Sequence, residues 1–85
     1  MSNDKKILLE IVNSEHTIES RGEEIMDLYI EKSENINTKQ LYHNVQQKIS
    51  RLLSELYHEG EIGRFRLGRQ FIYCSKLYEE VHLNI

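Results

Sequence analysis

The stretch Gln46-Gln47-Lys48-Ile49-Ser50-Arg51-Leu52-Leu53-Ser54-Glu55-Leu56-Tyr57-His58-Glu59-Gly60-Glu61-Ile62-Gly63-Arg64-Phe65-Arg66-Leu67-Gly68-Arg69-Gln70-Phe71-Ile72-Tyr73 changes its hydrophobic period half-way, and that change decides the fold. At the helical 100° per residue, Val45, Ile49, Leu52, Leu53 and Leu56 fall in one apolar sector, while Gln47, Ser50, Arg51, Ser54 and His58 fall on the far side. The pattern predicts a helix over about 45–59, stopped at Gly60, the residue type favoured just past a helix end. Beyond Gly60 the period becomes two: Ile62, Arg64 and Arg66, a Leu67-Gly68 turn, then Arg69, Phe71 and Tyr73. Two such runs around a short glycine-bearing turn predict a hairpin over about 61–75. In that register Arg66 faces Arg69, and like charges directly opposite each other destabilise a sheet unless something anionic lies above them.

Working outward, Asn37 with Gln40 and Asn44 with Gln47 repeat the spacing of a capping box, with asparagine in the cap position. Two helix starts seven residues apart imply a short helix over about 38–43, with Leu41 inward, and then a turn. Ser20 and Glu23 form another box ahead of a helix over about 21–33, with Ile25, Leu28 and Tyr29 inward, Met26 and Ile30 at the margins, and an acidic outer face. Ser2 to Asp4 can cap a first helix over about 4–13 that Asn13-Ser14 stops. A tail helix over about 76–83 turns Leu77, Val81 and Tyr78 inward.

Eighty-five residues without proline, repeat or low-complexity segment read as one domain. So small a domain buries only about 60% of its unfolded surface, which leaves no room for an independent catalytic cleft. No nucleophile, base and orienter recur with usable spacing, so the reading is non-enzymatic. No apolar run approaches the ~18 residues of a membrane span, the first residues do not read as a signal peptide, and a cytoplasmic protein is expected. The lone Cys74 behaves as a small buried hydrophobe, and His16, His43, His58 and His82 lack zinc-site spacing. No metal, cofactor or small-molecule ligand is expected.

The net charge of −3 conceals an asymmetry. Residues 1–36 carry four Lys/Arg against nine acids, a balance of −5, whereas residues 37–76 carry seven against three, a balance of +4. Such a division predicts a basic face and an acidic face.

Short helix, turn, long helix, glycine and hairpin follow the order of a helix-turn-helix with a wing. Over about residues 36–75 the chain resembles the winged helix-turn-helix domains of bacterial and archaeal regulators, through Gln46 to Ile62, Arg64, Gly68-Arg69 and Phe71-Ile72-Tyr73. The resemblance implies an α+β, mainly helical domain: helix-turn-helix at about 37–59, wing at about 61–75, terminal helices flanking both. It sets Ser50 and Arg51 toward a major groove and Ile49, Leu53 and Leu56 toward the core. The turn ahead of the long helix is about two residues shorter than the family's, and nothing resembles a sensor site.

The function expected is binding of double-stranded DNA by a transcriptional regulator. Arg64, Arg66 and Arg69 would grip phosphate or minor groove, and Gln46, Gln47, Lys48, Ser50, Arg51 and Ser54 would face the major groove, glutamine pairing with adenine. Thr38 and Lys39 would meet phosphate at the start of the short helix. One module buries too little DNA for tight specific binding, so a homodimer through the terminal helices, Ile7 to Val12 and Leu77 to Ile85, is expected. The alternative is a winged helix that serves as a protein-interaction or assembly module, which the negative net charge and the acidic helix favour.

Overall fold

The computed structural model describes residues 2–33 and 38–83, with the side chains of 38–43 excepted. Its elements run in the order α1 (Asn3–Glu15), β1 (Thr17–Glu19), α2 (Glu23–Ser33), α3 (Thr38–His58), β2 (Gly63–Leu67), β3 (Gln70–Cys74) and α4 (Lys76–Tyr78), which continues as a π-helical turn over Glu79–Leu83. This is a small, mostly helical α+β fold, its antiparallel sheet ordered β1-β3-β2.

α3 supplies the centre. Val45, Ile49, Leu52, Leu53 and Leu56 are all buried, as the apolar sector predicts, and they meet Leu8, Ile11 and Val12 of α1, Ile25, Met26 and Tyr29 of α2, Ile18 of β1 and Tyr73 of β3. Each such side chain removed from water contributes about 1.5–3 kcal/mol. In α2 the inward position expected of Leu28 belongs to Met26, and Leu28 is only half-buried.

The expected break between residues 43 and 45 is absent, because α3 runs unbroken from Thr38 to His58. Asparagine in a cap-like spacing is only a local preference. Asn44 sits exposed in the helix, where its propensity cost is about 0.7 kcal/mol at most. Neither glycine nor proline occurs between residues 38 and 58 to enforce a turn. The two consecutive helices are instead α2, which ends at Ser33, and α3, which begins at Thr38. The helix end is as expected: the Gly60 amide donates to Tyr57 O (3.0 Å) and the Glu61 amide to Leu56 O (3.0 Å), the paired bonds of a Schellman motif.

The hairpin register also differs from expectation. Leu67 pairs with Gln70, Arg66 with Phe71 and Arg64 with Tyr73, so Gly68-Arg69 is the turn and Arg66 does not face Arg69. A two-residue turn needs a positive φ at its first central residue, which glycine adopts without strain and leucine does not. Gly68 has φ 64°, and that requirement moves the turn one residue along.

β1 had no counterpart in the sequence reading. Three residues are too short to show a period, yet Thr17, Ile18 and Glu19 pair with Cys74, Tyr73 and Ile72. α1 is capped by the Ser2 side chain as expected (Lys5 N to Ser2 Oγ, 3.3 Å), and it passes Asn13-Ser14 to reach Glu15. α2 starts two residues later than expected, because the Ser20 amide extends the sheet by donating to Phe71 O (3.4 Å). In the tail, Tyr78 turns inward and stacks on Phe65 at 6.1 Å, whereas Leu77 and Val81 are 60% and 56% exposed, contrary to the expected inward orientation. No described helix is long and apolar enough to cross a membrane.

Polar ties join the three long helices. The Asp4 carboxylate of α1 takes the Lys48 ammonium of α3 at 2.8 Å and accepts from the Tyr29 hydroxyl of α2 at 2.7 Å. The Lys48 bond first, and the Tyr29 bond next, hold the Asp4 carboxyl below its ordinary pKa. A group whose pKa is depressed on folding contributes stability above its unfolded value, near pH 4, and that contribution is lost as pH falls through the depressed folded value. Chemical denaturation across this acid range should show the loss in the wild type and a shallower slope in Asp4→Asn. The Asp4–Lys48 pair, itself part-exposed, accounts for about 0.2–1 kcal/mol of the effect.

Candidate nucleic-acid interface

The strand alternation of the hairpin separates two sets of side chains. Arg64 and Arg66 share a face with their partners Tyr73 and Phe71, the face on which Tyr73 joins the α3 core. Phe65 and Leu67 share the opposite face with Ile72 and Gln70.

On the first face, Arg64 is held between aromatic rings. Its guanidinium carbon lies 4.1 Å from the Tyr57 ring centroid and 4.3 Å from that of Phe71, with Tyr73 at 6.0 Å; Arg66 lies 5.5 Å from Phe71. Tyr57 belongs to α3, one residue before its end, so Tyr57, Arg64, Phe71 and Arg66 alternate ring and cation from helix to hairpin. Cations over ring faces are attracted by the ring quadrupole, by about 0.5–2 kcal/mol according to exposure. Arg64 is thereby a coupling residue between helix and hairpin as well as a charge.

The flank of α3 next to the hairpin carries Gln46, Ser50 and Tyr57. Two grooves open along it. One, of 490 Å³, is lined by Arg21, Ser50, Arg69, Phe71 and neighbours from β1 and β3; the other, of 260 Å³, by Arg21, Gln46, Gln47 and Ser50. They share Arg21 and Ser50 and so form one trough. Gln46 Nε2 donates to the Arg21 carbonyl at 3.2 Å, fixing the β1–α2 connection against α3.

The structure thus brings together Gln46, Gln47, Ser50 and Arg69, with Arg64 and Arg66 on the adjoining sheet face. Others of the expected set go elsewhere. Lys48 turns to α1 and Asp4, while Arg51 is exposed on the side of Glu55, 4.0 Å away. Ser54 is half-buried one helical turn beyond Ser50. The side chains of Thr38 and Lys39, like that of Leu41, lie outside the described residues.

Arg21 was missed by the sequence reading. It lies in the acidic third of the chain, where counting charge by segment hides it, and only the β1–α2 turn carries it to the trough. A lone cation beside a glycine, Arg21-Gly22, within an acidic segment was the available signal.

The cations sort by pairing. Among the described residues, Lys5, Lys32, Lys48, Arg51 and Lys76 all stand in ion pairs with carboxylates. Arg21, Arg64, Arg66 and Arg69 stand in none of these pairs, nor does Lys6 on α1. The described residues hold no group of three or more His, Cys, Asp or Glu that could bind a metal ion. Cys74 is fully buried, and burial pushes its thiol pKa up, with Glu79 adding to the rise, so it stays protonated at neutral pH.

No family model, curated protein or solved structure matches the chain. Its function has to be argued from its own residues.

The ring and cation alternation has a direct test in the free protein. Arg64→Ala should lower stability by about 1 kcal/mol in denaturant unfolding and speed amide exchange in β2 and β3. Arg64→Lys should restore only part of this, because an ammonium lacks the planar face that stacks between two rings.

Proposed function

We propose that the chain binds double-stranded DNA as a winged helix, most simply as a transcriptional regulator. In this reading α2 and α3 are the two helices of the helix-turn-helix, and the β2–β3 hairpin is the wing. The order α1, β1, α2, α3, β2, β3 supports it. So does the β1-β3-β2 sheet, which sets the hairpin beside the flank of α3.

The carrying observation is the gathering of guanidiniums that have no ion pair among the described residues. Arg21 and Arg69 border the α3 trough, and Arg64 and Arg66 flank Phe71, which also lines it. Intramolecular pairing takes up most of the other described cations. Four arginines without an ion pair among the described residues, beside a helix flank of amides and a hydroxyl, suit phosphates outside and base edges between them. Arg66, Arg69 and Arg21 then contribute phosphate or minor-groove contacts, Gln46, Gln47 and Ser50 meet base edges, and Arg64 aims the wing.

A homodimer remains the proposed assembly, with one revision. Leu8, Ile11 and Val12 of α1 are buried in the chain's own core, so the tail residues Leu77, Val81 and Leu83, all exposed, are the better contact.

One feature favours the second reading, a protein-interaction module. On the opposite sheet face, a groove of 480 Å³ sets Phe65, Leu67, Ile72 and Tyr78 beside Glu19, Glu23 and Glu24. That surface would repel DNA and suits a basic protein segment instead.

A salt titration separates the two. On mixed-sequence duplex, log affinity should fall with log salt at a slope of about −0.9 per phosphate contacted, and Arg66→Ala and Arg69→Ala should each make it shallower by about 0.9. Absence of duplex binding at low salt would sink the DNA reading.

A further inference from the structure

We infer, building on the nucleic-acid reading, that the trough between α3 and the hairpin holds one unstacked nucleotide, its base against Phe71 and its phosphate between Arg21 and Arg69. A recognition helix docked on an intact duplex meets only base edges. This trough offers a ring surface as well, and a fully stacked base has no face free to cover it.

Three observations carry the inference. Phe71 is 40% exposed although it belongs to a sheet face that elsewhere packs into the core. Arg64 covers one side of its ring at 4.3 Å and is not part of the trough lining, so a different part of the ring faces the trough. Aromatic side chains in this setting stack bases irrespective of sequence.

The second observation is Ser50. Ser50 lines both grooves, and its Oγ, shielded from solvent behind that lining, has no hydrogen-bond partner among the described residues. A buried hydroxyl without a partner is unfavourable, and the edge of an inserted base supplies either a donor or an acceptor.

The third is the charge around the opening. Arg21 and Arg69 border the same groove and stand in no ion pair among the described residues. Glu19 also reaches this lining, but its carboxylate is beside Gly22, with Oε2 3.3 Å from where a Cβ on that residue would stand. Gly22 belongs to the groove on the other sheet face, so the carboxylate is directed away from the two guanidiniums. Stacking surface, unmet hydroxyl and two neighbouring guanidiniums together match a nucleotide more closely than they match a phosphate alone.

The same chemistry would accept a nucleotide within a strand or a free one, and the experiment separates them. Fluorescence anisotropy would compare a paired duplex with the same duplex carrying a single-base bulge, and NMR titration would follow the Ser50 and Phe71 amides with dAMP alone. The bulged duplex should bind about tenfold more tightly than the paired one. Phe71→Leu and Ser50→Val, which alter opposite walls of the trough, should each bring that ratio close to one, the ratio being taken against each variant's own paired-duplex affinity and thermal unfolding confirming that each variant is folded. Displacement of the bulged duplex by dAMP, with shifts at both amides, would support the site and assign it to free nucleotide as well. Equal affinity for the two duplexes, or a preference that survives both substitutions, overturns the inference and leaves duplex binding standing. Shifts by dAMP without binding of either duplex support the site and overturn the DNA reading. Silence in every arm overturns both.

Discussion

Burial of a single stripe along α3 constrains everything else in this chain. Ile49, Leu53 and Leu56 are completely enclosed, and a helix can enclose one sector only by surrendering its two flanks to whatever lies on either side. One flank meets α1, where Lys5 bridges Glu55 and Glu59 and Lys48 takes Asp4. The other meets the hairpin, where Tyr57 covers Arg64. Each polar residue of α3 therefore has its role set by its angle from that stripe. Lys48 and Ser50 are two positions apart and nearly opposite in consequence, one neutralised by a carboxylate and the other opening on a trough.

The same geometry sorts the charges. Pairing across elements engages Lys5, Lys32 and Lys48, because their long flexible stems reach carboxylates across helix packing distances. Arg51 apart, the arginines lie on the sheet and its connections, and there Arg64 and Arg66 have aromatic rings as neighbours in place of carboxylates. An arginine between two rings keeps its full charge. Desolvation beside a π face costs a guanidinium less than it would an ammonium, which is more strongly hydrated. The positive side is thus built from cations that the fold orients without neutralising, and the negative side from the α2 start and Glu19. A chain of net charge −3 can in this way gather Arg21, Arg64, Arg66 and Arg69 around one helix flank.

Where sequence and structure part, the cause is a local preference outweighed by packing or by backbone geometry. Asn44 has the form of a cap, but the stripe from Val45 to Leu56 continues a helix already begun at Thr38, and one exposed asparagine does not stop it. Leu67-Gly68 has the form of a turn, yet the positive φ falls on Gly68 and requires that residue first. β1 has no signal of its own, since its three residues become a strand only by pairing with β3. Arg21 enters the trough through that strand and could not be assigned to it earlier.

The sequence by itself determined the α3 stripe, its end at Gly60, the hairpin after it, the concentration of arginine there and the buried state of Cys74. Each follows from a periodicity or a residue type acting over a few neighbours. Tertiary structure alone decided which cations stay unpaired, which ring covers Arg64, which wall Arg21 joins and where Ser50 opens. Those outcomes depend on side chains brought together from distant positions, as when Lys48 meets Asp4 or Tyr57 meets Arg64. Periodicity along one element carries no information about its neighbour's angle, and that angle is what turned a run of arginines into a surface.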